Sequence, residues 1–116
     1  MDKCKKAIEV IPTNQRAVVV FTHGDHLNYD GQGNGVTGNW KIRPNKLDNI
    51  DKVIIYLRKP NDFGGRIYLA TIVGLEESKQ VGRYIIKFTN LEEVCATTSN
   101  WSAFANTGSN PVYYLN

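Results

Sequence analysis

Four short apolar runs, each bounded by turn residues, restrict this chain more than any other feature. They are "RAVVVFT" at 16–22, "DKVIIYLR" at 51–58, "RIYLATIVG" at 66–74 and "RYIIKFT" at 83–89. All are rich in Val, Ile, Tyr and Phe and too short for ordinary helices, so each predicts a buried strand. In the second strand of the central pair, Ile67, Leu69 and Thr71 alternate with Tyr68, Ala70 and Ile72. Both faces are largely apolar, which predicts a central strand covered on both sides. "KPNDFGG" and "LEESKQVG" predict turns, and "NLEEVCATT" predicts a continuation of the fourth strand or a short strand at an angle. "PVYYLN" predicts a final strand.

Helical signals are few. "MDKCKKAIEVIP" predicts a short helix or turn stopped by Pro12, with Lys3, Lys5 and Lys6 as a solvated face. Asn100 predicts the cap of a short helix through "WSAFAN", ending near Gly108. Trp101, Phe104 and Ala105 would form its apolar face against the sheet. The expected fold is therefore mainly β (α+β): a small, mostly antiparallel curled sheet or β-barrel with short flanking helices. At 116 residues, 41% hydrophobic and 22% charged, the chain predicts one domain over 1–116.

Residues 23–46 carry Gly24, Gly31, Gly33, Gly35 and Gly38 with Asn28, Asn34, Asn39 and Asn45. This composition predicts a long irregular loop, and such loops are commonly functional. Within it, "GVTGNWKIRP" sets Trp40 beside Lys41 and Arg43. If extended, the stretch places Trp40 and Ile42 on one face and Lys41 and Arg43 on the other. Two readings follow: a base stacks on the indole, worth ~1–3 kcal/mol, with phosphates on the cations, or Trp40 and Ile42 are simply buried. Small Ala70 marks a second place where a ligand can approach.

"HGDH" at 23–26 invites a metal or acid–base reading from His23, Asp25 and His26. No third strong ligand stands at a useful spacing and no nucleophile motif accompanies it, so no metal, cofactor or catalytic set is expected. "GQGNG" lacks the strand and helix of a dinucleotide fingerprint. The net charge of +3 is compatible with a polyanion partner without requiring one. Cys4 and Cys95 fit no metal spacing. Residues 1–12 lack the apolar segment of a signal peptide, so two free thiols in a reducing, cytoplasmic setting are expected. No run is long enough to span a membrane.

The order of these pieces resembles the PUA-like superfamily, in particular its YTH and EVE branches. It comprises a glycine-led Trp in a loop, "NKL" at 45–47, "KVIIYLR", a hairpin, "GGRIYLATIVG" with its small central residue, and "GRYIIKFTNLEEV". The resemblance covers about residues 16–95 and implies a compact β-barrel that binds DNA or RNA, with a modified base in an aromatic-walled pocket. By that resemblance Trp40 matches a pocket-wall Trp, and Asn45 a residue that touches a base edge. The further aromatics of the YTH branch are missing from "GLEESKQVG", so Phe63 or Tyr29 would have to close the pocket. Asn39 joins Asn45 as a polar reader, and Arg66 and Arg83 join Lys41 and Arg43 on phosphates. In prokaryotic or phage settings the resemblance implies a targeting module with a protein partner in a restriction or RNA-modification system. The rival expectation is a protein-interaction or inhibitor barrel pairing through "PVYYLN", and a weaker one is a hydrolase or lyase using His23 and His26.

Overall fold

The computed structural model describes residues 3–11, 15–61, 63–106, 108 and 110–115. Seven strands form a single sheet: β1 (Ala17–Thr22), β2 (Leu27–Tyr29), β3 (Gly35–Trp40), β4 (Lys52–Leu57), β5 (Gly65–Glu77), β6 (Tyr84–Thr97) and β7 (Val112–Leu115). One α-helix, α1 (Trp101–Ala105), and two 3-10 turns, Ala7–Glu9 and Pro44–Leu47, complete it. All four apolar runs are strands. The last two are longer than their apolar runs, because β5 and β6 pair from Gly65–Thr97 to Glu77–Tyr84. The polar "LEE" at 75–77 is thus held in the ladder, and only residues 78–83 turn.

The strand order is β2-β3-β6-β5-β4-β1-β7. Neighbours are antiparallel except β1 and β4, which run parallel from Ala17–Lys52 to Thr22–Leu57. A parallel pair needs a long crossover, and residues 23–51 supply it. β2 and β7 end the order without pairing to each other, so the sheet is mixed and open rather than an antiparallel closed barrel. It nevertheless curls. Three register shifts interrupt the β5–β6 ladder, and such irregularities bend and twist long strands.

Curling gives the sheet two apolar faces. On the concave face Val18 and Val20 of β1 share a cluster with Val53, Ile55, Ala70, Ile86, Phe88 and Trp40, closed by Ile42, Leu47 and Ile50. β1 and β3 lie far apart in the strand order, yet Phe21 and Thr22 of β1 border one cavity with Trp40 of β3, so the sheet curls over on this side. On the other face Val19, Ile54, Tyr56 and Ile67 pack against Ala7, Ile11, Phe104 and Ala105. Each Val or Ile taken out of water in this way contributes roughly 1.5–3 kcal/mol. The expected double-sided burial of β5 is observed: Ile67 and Leu69 face one cluster, Tyr68, Ala70 and Ile72 the other.

The loop expected over 23–46 is mostly structured. β2 and β3 form a hairpin, and β3 pairs with β6 through Gly35–Phe88 and Trp40–Tyr84. Two of its glycines serve close packing. A Cβ on Gly35 would collide with the Asn28 carbonyl and Tyr29 backbone, and one on Gly38 would come 2.9 Å from Ile85 Cα. Helix α1 is capped as expected, with Asn100 Oδ1 accepting from the Ala103 amide at 2.9 Å. It ends earlier than expected, at left-handed Asn106. The predicted stop at Pro12 lies outside the described residues.

Cys4 and Cys95 form a disulfide, which corrects the expectation of two free thiols. Sequence distance concealed their proximity. Lys3 makes a parallel bridge with Ala96, and the Cys4 amide donates to the Ala96 carbonyl at 2.9 Å. The Cα atoms thereby come within 6.0 Å, a bridgeable separation. Among the described residues no helix is long and apolar enough to cross a membrane.

Candidate functional site

Four segments converge beside the end of β1. Phe21 and Thr22 end that strand, and His23, Asp25 and His26 follow in the connection to β2. Asn39, Trp40 and Lys41 come from the end of β3, Gln80 and Arg83 from the β5–β6 turn, and Asn110, Pro111 and Val112 from the approach to β7. Together they enclose a cavity of about 400 Å³, within the usual size range of small-molecule sites.

Local hydrogen bonds hold each wall. The Phe21 amide donates to the Pro111 carbonyl at 2.9 Å, tying the β7 approach to β1. The Gly24 amide donates to Thr22 Oγ1 at 3.0 Å. His23 Nδ1 lies 2.9 Å from the Arg58 carbonyl. A carbonyl only accepts, so Nδ1 is the donating ring nitrogen in this contact. Arg83 Nη1 donates to the Asn39 carbonyl at 3.1 Å, locking the β5–β6 turn to β3. That turn is closed by Ser78 N–H to the Arg83 carbonyl and Arg83 N–H to the Gln80 carbonyl.

Trp40 is buried, at 4% exposure. Its indole N–H donates to Thr37 Oγ1 at 3.0 Å, and the Thr37 hydroxyl donates to the His26 carbonyl at 2.6 Å. Ile42 is equally buried, while Lys41 and Arg43 are exposed. The alternation read from the sequence holds, but in its core-anchoring form. At that burial the indole offers no open face to a flat guest, although Trp40 is part of the cavity wall. The accessible ring surface comes from neighbours. His26 packs edge-on to Trp40 at 5.4 Å, and half-buried Phe21 meets His23 at 4.9 Å.

A second cavity, of about 490 Å³, adjoins the first through Lys41 and Asn110, which line both. Its other walls are Ile42, Arg43, Lys46, Gly82 and Tyr114. The Arg43 amide donates to the Tyr114 hydroxyl oxygen at 3.1 Å.

Of the residues singled out from the sequence, the fold assembles Trp40, Asn39, Lys41 and Arg83 in the first cavity and Arg43 in the second. The others stand elsewhere. Asn45 is exposed on the 3-10 turn, Arg66 is exposed on β5, and Phe63 is 95% exposed after β4. Tyr29, 52% exposed, faces Tyr68 at 6.4 Å. Neither Phe63 nor Tyr29 closes a pocket on Trp40. Ala70 is buried and borders a separate polar cavity with Lys52, Thr71, Asn90 and Glu92. His23, Asp25 and His26 do line the first cavity, although His26 Nε2 and Asp25 are 3.9 Å apart and both exposed. Among the described residues no group of three or more His, Cys, Asp or Glu side chains is placed to hold a metal ion. Phe21, Gln80, Asn110 and Tyr114 were missed, since only the pairing of β1 with β7 and the length of β5 and β6 bring them here.

No protein-family model, no curated protein and no solved structure matches this chain.

Proposed function

We propose that this protein is a nucleic-acid-binding module of PUA-like type that accommodates a base or modified base in the cavity beside Trp40. The observation that supports this most is the pairing of two adjoining cavities, one edged by Phe21, His23 and His26, the other by Lys41, Arg43 and Lys46. A base has apolar faces and polar edges, and a phosphodiester is an anion. Such a bipartite surface suits both. Trp40 acts in this reading as the fixed floor of the site. The rings that touch the base are Phe21 and His26, and Asn39 offers its side-chain amide to a base edge.

The test is a titration of labelled single-stranded oligonucleotides, modified and unmodified, across a range of salt. Each phosphate neutralised contributes about −0.7 to the slope of log K against log salt. Arg83→Gln and Lys41→Gln are each expected to flatten that slope by about this amount. A flat salt dependence, or binding indifferent to both changes, overturns the reading.

One observation favours a second reading, a protein-interaction module. β7 ends the sheet with one side unpaired by any other strand among the described residues, and a partner strand can extend such an edge. That reading expects partner binding little affected by salt.

A further inference from the structure

We infer that the second cavity is a phosphate subsite, so that the ligand is a nucleotide unit whose phosphoryl group sits among Lys41, Arg43 and Lys46. The base placement rests on the nucleic-acid reading above, whereas the phosphate subsite stands on its own observations.

The first is charge. Three cationic side chains border this cavity and no carboxylate does. Among the described residues none of the three charged ends has an ion-pair or hydrogen-bond partner. Like charges gathered around one concavity raise the local concentration of anions.

The second is the polarity of the neutral groups. Tyr114 oxygen already accepts from the Arg43 amide, at 3.1 Å, so its own proton is free to donate. Asn110 Oδ1 accepts from the Val112 amide at 3.1 Å, and the Asn110 carbonyl accepts from Trp101 Nε1 at 2.8 Å. Its side-chain NH₂ is what remains to be offered. The site therefore presents donors: ammonium, guanidinium, hydroxyl and amide hydrogens. A phosphate is acceptor-only and takes charge-assisted bonds best, with Arg able to bind it in a fork. Uncharged sugars and cations do not match this set.

The third is position. Lys41 and Asn110 border both cavities, so a phosphate here is one short linkage from a base in the first. Tyr114 lies on β7 and Asn110 just before it, and β7 is paired to β1. The Tyr114 hydroxyl is thus carried by the sheet that also borders the base cavity, and Asn110 is held just before it.

The experiment measures binding to the full chain by calorimetry and by NMR shifts, with pyrophosphate, a nucleoside, its 5′- and 3′-monophosphates, and an unphosphorylated dinucleotide. The variants are Lys46→Gln and Tyr114→Phe, the latter keeping the ring and removing only the hydroxyl, with folding checked by thermal melting. A phosphate is expected to tighten nucleoside binding about tenfold or more. Each variant is expected to lose most of that gain while nucleoside affinity stays unchanged. Tighter binding of a monophosphate than of the dinucleotide assigns the subsite to a phosphorylated end, and the reverse assigns it to an internal phosphodiester. If nucleosides do not bind but pyrophosphate does, in a manner sensitive to Lys46→Gln and Tyr114→Phe, the base reading fails and the phosphate subsite stands. A phosphate gain of zero, or one unchanged in both variants, overturns the subsite.

Discussion

The Trp40 indole donates to Thr37, and the Thr37 hydroxyl donates to the His26 carbonyl. This relay satisfies a buried N–H and fixes the cavity wall at once. Thr37→Val keeps the shape but leaves the indole N–H unpaired, which costs roughly 1–3 kcal/mol. Chemical denaturation is expected to register that loss, and His26 ring resonances to broaden or shift with it. A second residue reports on pH. Burial, reinforced by the hydrogen bond and charge of Glu93 and by Tyr29, pushes the Tyr68 phenol up to about 12. The folded state thus holds the proton more tightly than the unfolded chain. This contribution to stability is complete below the ordinary phenol value of about 10 and is lost as pH climbs toward 12. Tyr68→Phe should lose less stability than the parent chain between neutral and strongly alkaline pH. Equal loss in both would show that Tyr68 does not carry the effect.

At the scale of elements, the β2–β3 hairpin is the piece that composition described least well. Glycine and asparagine counts point to a loop, yet here they permit a strand to press against its neighbours. Gly35 has the Asn28 and Tyr29 backbone directly against it. Gly35→Ala is expected to destabilise by about 1–3 kcal/mol through overpacking, seen as a lower melting temperature and faster amide exchange in residues 27–29 and 35–40. The strands themselves were legible because β-branched and aromatic residues gather where both faces are covered. The lengths of β5 and β6 were not. Leu75, Glu76 and Glu77 are held in the ladder by pairing with Ile86, Ile85 and Tyr84, and no local signal carries that partnership. Asn100 was legible because capping is local: its side chain needs only the amide three residues on.

For the whole molecule, the disulfide matters most. It links residues 91 apart, clasping the N-terminal segment to the end of β6 over the second apolar cluster. Loop-closure entropy for such a span gives about 4–5 kcal/mol. Cys4→Ser with Cys95→Ser, or reduction of the parent chain, is expected to lower the melting temperature strongly, and an unchanged melt would show that the bond contributes little. The curl of the sheet is likewise a global property. It brings β1, β3 and the β5–β6 turn to one rim and so creates the two cavities.

The amino-acid sequence by itself determined where the four apolar strands, β7 and the capped helix form, that β5 is covered on both sides, and that Trp40 and Ile42 face away from Lys41 and Arg43. Each follows from forces acting over a few residues: side-chain sterics, alternation, capping. Tertiary structure alone decided that the sheet is mixed and open, that Cys4 meets Cys95, which of two readings of Trp40 holds, and that Phe21, Gln80, Asn110 and Tyr114 join Lys41 around two adjoining cavities. Those outcomes depend on pairings between distant segments, such as Ala17 with Leu115 and Cys4 with Cys95. The free energy of such pairings comes from apolar area buried jointly by distant strands, which no local window contains.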